Sequence, residues 1–177
     1  MGRPAVDFGK LRVLIVENNE LMRRLLTEML RGFGVHYIRE ASDVPEASIL
    51  INRESYDAVI LDFFLGILDG GDFAKIVRRS ESCPNRAVPI LLVTAMPDHY
   101  KVAKALSCGI DEILAKPIAP KDLYLRLYGM IAYPRPFTIS KDYTGPCRRR
   151  VQRPAQPGAE RRKRTAAPPM EIHPQKS

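Results

Sequence analysis

Short apolar runs alternate along this chain with stretches whose apolar residues recur at helical spacing. From Leu11 the run LRVLIV is bounded by polar residues, and Leu21, Leu25, Leu26, Met29 and Leu30 follow it, up to Gly32 and Gly34. A continuous apolar run suits a strand buried on both faces, and a recurrence every three to four residues suits an amphipathic helix. The alternation then repeats: VHYIREA as strand and Val44 to Arg53 as helix, DAVILD as strand and Phe73 to Arg79 as helix. After these come VPILLVTA and Tyr100 to Ser107, then EILA and Lys121 to Ile131. Five strand–helix units predict an α/β fold, a doubly wound (βα)5 parallel sheet with helices on both faces.

Charge divides the chain. Its 177 residues carry 28 Lys and Arg against 20 Asp and Glu, a net charge of +8. Residues 1–132 hold 17 of each sign, so the whole excess lies in residues 133–177, which have 11 cations, 3 anions and 8 of the 15 prolines. Past Ile139 this extension has almost no periodic apolar residues with which to offset its ordering entropy. The expected organisation is a domain over 10–132 and a disordered, basic, Pro/Arg-rich tail over 133–177. No apolar run approaches the roughly 20 residues of a membrane-spanning helix, and MGRPAVDFGK lacks a signal-peptide core. The cytoplasm is the expected location. Cys83, Cys108 and Cys147 have no metal-binding or paired spacing and read as reduced thiols.

In an open parallel sheet, ligands bind beyond the carboxyl ends of the strands, where strand order reverses. The residues there are Glu17, Asn18 and Asn19 after the first strand, Asp62 after the third, Thr94 and Ala95 after the fourth, and Lys116-Pro117 after the fifth. No glycine-rich phosphate loop follows the first strand, which disfavours a dinucleotide or P-loop site. Two carboxylates and an amide suit a hard cation such as Mg²⁺, and a Lys with a Thr suits phosphoryl oxygens. An Asp carboxylate can itself accept the phosphoryl group as an acyl phosphate. Taken singly, the same residues also read as helix caps, a strand end and a solvated lysine; their joint placement favours the chemistry.

LRVLIVENN, YDAVILDFFLGILDGG, VPILLVTA and EILAKPI, in this order and spacing, resemble the receiver domain of bacterial two-component response regulators, the CheY-like fold, over residues 10–132. The resemblance implies that Asp62 accepts a phosphoryl group from a histidine kinase or phosphotransfer protein. It implies that Glu17, Asn18, Asp62 and the backbone carbonyl of Phe64 hold Mg²⁺, and that Lys116 and Thr94 contact the phosphoryl group. Asp69-Gly70 matches the turn after the acceptor loop. Ile113 occupies the position at which many receivers carry a switching aromatic, so either the switch works through packing or Ile113 is simply a strand residue facing the core.

Other departures modify the expectation. Asn18 stands where the family usually has an acid, which removes one negative charge and weakens Mg²⁺. The loop FFLGILDG has Gly66 in place of the usual Pro, and Phe64 and Met96 flank the phosphoryl position as apolar residues that exclude the hydrolytic water. Met22, Met29, Met96 and Met130 read as core filler. YPRPF, YTGPCRRR and PGAERRKR in the extension resemble a C-terminal segment of some stand-alone alphaproteobacterial receivers, and their arginines suit an acidic partner or nucleic acid. Three functions follow: a phosphoacceptor regulator with an unidentified downstream protein, a degenerate receiver acting as an interaction module without phosphorylation, or a receiver controlling a nucleic-acid-binding tail. A separate enzymatic activity is not expected, because His36, His99 and His173 sit in strand, loop and tail without a nucleophile partner.

Overall fold

The computed structural model describes residues 4–95 and 99–148. Five parallel strands, β1 (Arg12–Val16), β2 (Tyr37–Ala41), β3 (Ala58–Asp62), β4 (Ile90–Thr94) and β5 (Glu112–Ala115), form one sheet in the order β2-β1-β3-β4-β5. The helices are α1 (Glu20–Gly32), α2 (Val44–Arg53), α3 (Gly70–Arg79), α4 (His99–Ser107) and α5 (Pro120–Ala132). The doubly wound α/β expectation is met, with element ends within three residues of those read from the sequence.

Period-two alternation splits the apolar strands between two cores. Val59 and Leu61 of β3 face the layer containing Val44, Ala47 and Phe73, whereas Ala58 and Ile60 face the layer containing Leu26, Leu30, Leu123 and Leu127. Each buried Val, Leu, Ile or Phe among them contributes about 1.5–3 kcal/mol, and both faces must be covered, which is why the strands read as unbroken apolar runs. Side-chain caps start three helices: Asn19 accepts from the Met22 amide, Asp43 from Glu46, and Asp69 from Asp72 in a capping box. Each cap satisfies an otherwise orphaned donor. Pro120 supplies the preset φ at the start of α5.

The extension departs from expectation in its first sixteen residues. Antiparallel strands β6 (Phe137–Ile139) and β7 (Thr144–Pro146) form a hairpin within it. The remaining tail, 149–177, lies outside the described residues. Arg78, at the end of α3, anchors this region. It is 1% exposed, donates to the Gly109 carbonyl at 2.9 Å, the Arg86 carbonyl at 2.7 Å and Asp111 Oδ2 at 3.0 Å, and stacks its guanidinium 5.6 Å from the Phe137 ring centre. Gly109 has φ +88, and a Cβ there would stand 2.8 Å from Arg78 Cγ and 3.0 Å from the Thr144 carbonyl oxygen. The hairpin therefore closes against a glycine because nothing larger fits.

Burial pushes the Asp111 carboxyl up to about 6 despite the neighbouring Arg78. The unfolded chain releases that proton near pH ~3.9, so between about pH 4 and pH 6 the folded state binds more protons and stability from this group falls as pH rises. A shift of roughly two units corresponds to about 3 kcal/mol. Asp111→Asn is expected to flatten this slope, as measured by urea denaturation on either side of the window; an unchanged slope would remove Asp111 as its source.

Candidate functional site

Sheet order reverses on either side of β1, between the outward step to β2 and the return to β3, and the carboxyl ends of β1, β3, β4 and β5 deliver one side chain each to that edge. Glu17 follows β1 and is 1% exposed, Asp62 ends β3 at 6%, and Thr94 ends β4 at 2%. Lys116 follows β5. Its Nζ donates to Glu17 Oε2 at 2.9 Å and to Asp62 Oδ1 at 2.9 Å, bridging two carboxylates that would otherwise repel at close range. Burial works against the Lys116 cation, but the bonds to Glu17 and Asp62 outweigh it and raise its pKa. The ammonium is thus fixed in place and charged.

Backbone geometry holds each of these groups. The Lys116 amide donates to the Thr94 carbonyl at 2.9 Å, so the ends of β4 and β5 stay in register, and the Lys116–Pro117 peptide is cis. The Asn19 amide donates to Glu17 Oε1 at 3.0 Å, and the Phe64 amide to Asp62 Oδ2 at 3.2 Å. A Cβ on Gly70 would collide with the Asp62 carbonyl oxygen. Glycine there lets the start of α3 press against the end of β3.

The remaining positions named from the sequence fall at different distances from this centre. Asn18 is solvent-exposed at the rim. Phe64 is 53% exposed, with its ring edge-on to Phe63 at 5.1 Å, and bridges to Asp69 across the loop. Ile113 is partly buried against the α2–α3–α4 side of the sheet. Met96 lies outside the described residues.

Sequence reading missed Lys104. Its Nζ bonds Asp69 Oδ2 at 2.8 Å and lies 6.0 Å from the Phe63 ring centre, tying α4 to the acceptor loop. Burial opposes ionisation of Asp69, but Lys104 and the Asp72 and Gly71 amides prevail and lower its pKa. A lysine on a helix is ordinarily solvated, so only the three-dimensional neighbour reveals it.

The oxygen donors at this edge are all hard: two carboxylates, an amide oxygen and backbone carbonyls. They fit a cation of the Mg²⁺ type, which prefers oxygen and retains several waters. Such an ion would have the Glu17 and Asp62 carboxylates, which share the Lys116 ammonium, as its charged ligands. An aspartate beside an immobilised ammonium, among hard oxygen donors and a hydroxyl, could accept a transferred phosphoryl group.

That class of site on that topology has known counterparts. The chain belongs to the response regulator receiver domain family, whose model matches residues 13–128, and is a receiver domain of two-component signalling. A probable transcriptional regulator, ycf27, of Guillardia theta is 33% identical over 122 residues, covering 69% of this chain and 46% of that protein. The chain thus spans about half the length of that relative. A putative response regulator from Chloroflexus aurantiacus superposes with TM-score 0.64 at 32% identity, covering 69% of this chain and 98% of that one. The receiver domain of the sensor histidine kinase PA1611 from Pseudomonas aeruginosa, with a magnesium ion coordinated in its active-site cleft, gives TM-score 0.62 at 30% identity, covering 68% and 97%. No helix among the described residues is long and apolar enough to cross a membrane.

Proposed function

We propose that this chain is a phosphoacceptor response regulator: Asp62 takes a phosphoryl group from a phosphohistidine of a histidine kinase or phosphotransfer protein and passes the signal to a downstream protein. The observation that carries this reading is the Lys116 ammonium bonded at 2.9 Å to both Glu17 and Asp62, because a fixed positive charge beside Asp62 would favour an incoming phosphoryl group. In the transfer, an Asp62 carboxylate oxygen bonds to phosphorus as the bond from phosphorus to the imidazole nitrogen breaks, and the leaving imidazole takes up a proton. Positioning and charge stabilisation supply most of the catalysis in such a step. Lys116 then pairs with a phosphoryl oxygen, Thr94 closes on the group by its hydroxyl, and α4 follows through packing at Ile113, biasing an existing equilibrium between two states.

Glu17, Asp62, the Phe64 carbonyl and the Asn18 amide oxygen are the residues that hold Mg²⁺ in this reading. The ion neutralises developing charge on the phosphoryl oxygens when bound. Asn18 contributes no negative charge, which makes the site weak. Incubation with a small acyl phosphate and Mg²⁺ is expected to add one phosphoryl group to the native protein and none to Asp62→Asn, read by intact mass. Asn18→Asp is expected to lower the Mg²⁺ concentration needed by about tenfold, from one added charge near a divalent ion. If only Asn18→Asp is modified, the natural chain is instead an interaction module that works without phosphorylation.

Phe64, exposed beside Asp62, favours a long-lived acyl phosphate by covering the approach of water. Phe64→Ala is expected to speed first-order loss of phosphate several-fold; an unchanged rate would remove Phe64 from that role.

A further inference from the structure

Helix capping accounts for only half of the Asp69 carboxylate. Oδ1 accepts the Asp72 amide at 2.9 Å, as the start of α3 requires. Oδ2 takes the Lys104 ammonium of α4 at 2.8 Å, a bond that a helix start does not need. Both side chains are partly exposed, and an ion pair of that kind adds little to global stability. Its role follows from what Asp69 closes.

Asp69 ends the loop that leaves Asp62. Across that loop the Phe64 and Asp69 backbones pair in an isolated antiparallel bridge, and the Gly70 amide donates to the Phe63 carbonyl at 2.9 Å. Phe63 and Leu65 are buried, whereas Gly66, Ile67 and Leu68 are exposed, so packing does not fix the stretch that returns to Asp69. Phe64 in turn donates its amide to Asp62 Oδ2 at 3.2 Å. The contacts therefore run from Lys104 to Asp69, across the bridge to Phe64, and from the Phe64 amide to the acceptor carboxylate.

Helix α4 gives Lys104 a firm base. Ala105 and Cys108 are buried, and a Cβ on Gly71 would stand 3.2 Å from Cys108 Sγ. Cys108 lies four residues after Lys104, and residues so spaced share a helix face. That face is thus seated on the first turn of α3 at Gly71 while Lys104 reaches Asp69, with its ammonium 6.0 Å from the Phe63 ring centre.

We propose that Lys104 is a positioning residue for the acceptor site: through Asp69 it holds the Phe64 backbone, whose carbonyl is a Mg²⁺ ligand, in place beside Asp62. This role rests on the Mg²⁺ reading of the site and is independent of whether Asp62 is phosphorylated. Full chain without phosphodonor is titrated with Mg²⁺ by calorimetry, and amide exchange is followed in the metal-free state. Charge alone would make Lys104→Met bind Mg²⁺ more tightly, because Asp69 adds an unneutralised negative charge to the acceptor loop. Positioning predicts the opposite, an affinity about tenfold weaker, the low end of what losing a group behind a metal ligand typically costs. The Phe64 and Asp69 amides should exchange faster, and those of β1 and β3 should not change. Lys104→Arg should restore most of the affinity, since either cation can bond a single carboxylate oxygen. Lys104→Met/Asp69→Asn keeps a cap acceptor and cancels the change in charge, and should remain weak. Unchanged or tighter Mg²⁺ binding in Lys104→Met, loop exchange equal to that of the native chain, or native affinity in the double variant would each overturn the proposal and leave the metal site standing. A native chain that binds no Mg²⁺ would overturn the metal reading and the proposal together.

Discussion

Replacing Lys116 with methionine is expected to move two measurable quantities in opposite directions. The ammonium sits between Glu17 and Asp62, 2.9 Å from each, so it competes with a divalent ion for the same two carboxylates. Removing it concentrates their negative charge, and Mg²⁺ affinity should rise. Acceptance of a phosphoryl group should nevertheless slow by about 10²–10³-fold at saturating Mg²⁺, the usual cost of deleting a preorganised group that faces developing charge. Methionine preserves most of the length of the side chain, so the comparison isolates the charge. Metal titration by calorimetry and acceptance rates by mass spectrometry separate the two effects. A fall in both, with the fold intact, would assign Lys116 a packing role and not one in transfer.

The second large effect concerns a residue remote from the acceptor. Arg78→Met is expected to destabilise the chain by about 3–5 kcal/mol, because removing one partner of a buried pair leaves the other uncompensated. Asp111 would lose its ion pair at 3.0 Å, and the Gly109 and Arg86 carbonyls their donors. Asp111 would then hold its proton to higher pH, which limits the loss without abolishing it. Hydrogen exchange at the β6–β7 amides should quicken more than in the sheet, since Phe137 loses the guanidinium it packs on. Arg79→Met, at the exposed neighbouring position, should change stability by less than about 0.5 kcal/mol. Denaturant titration gives both numbers, and a similar small loss for the two variants would show that the hairpin does not depend on Arg78.

Particular residues explain what the sequence made legible. Val13 to Val16, Ala58 to Leu61 and Ile90 to Val93 are continuous apolar runs because both faces of the sheet are covered, and that signal survives without any knowledge of the fold. Glu17, Asp62, Thr94 and Lys116 each follow or end such a run, so the topology alone brings them to one edge. The hairpin had no comparable signal: each strand is three residues long, and YPRPFTISKDYTGP carries prolines that suggest an unpaired segment. Its support comes from Arg78 and Gly109, distant in sequence. Arg78 itself stands beside Arg79 in the last turn of a helix, where charge complementarity with the dipole predicts exposure. Only the packing of three chain segments around it reveals a buried cation. Lys104 was hidden in the same way, its partner Asp69 being a helix cap thirty-five residues earlier.

The assignment of Asp62 is tested most directly by locating the modification chemically. The full chain is phosphorylated with a small acyl phosphate and Mg²⁺, reduced with borohydride, which converts an aspartyl phosphate to homoserine, and mapped by peptide mass. Homoserine at position 62, absent when Mg²⁺ is withheld, is the expected result. Phosphorylation mapped to any other aspartate or glutamate, or no homoserine at all under conditions that modify Asn18→Asp, would contradict phosphoacceptor function at Asp62 in the natural chain.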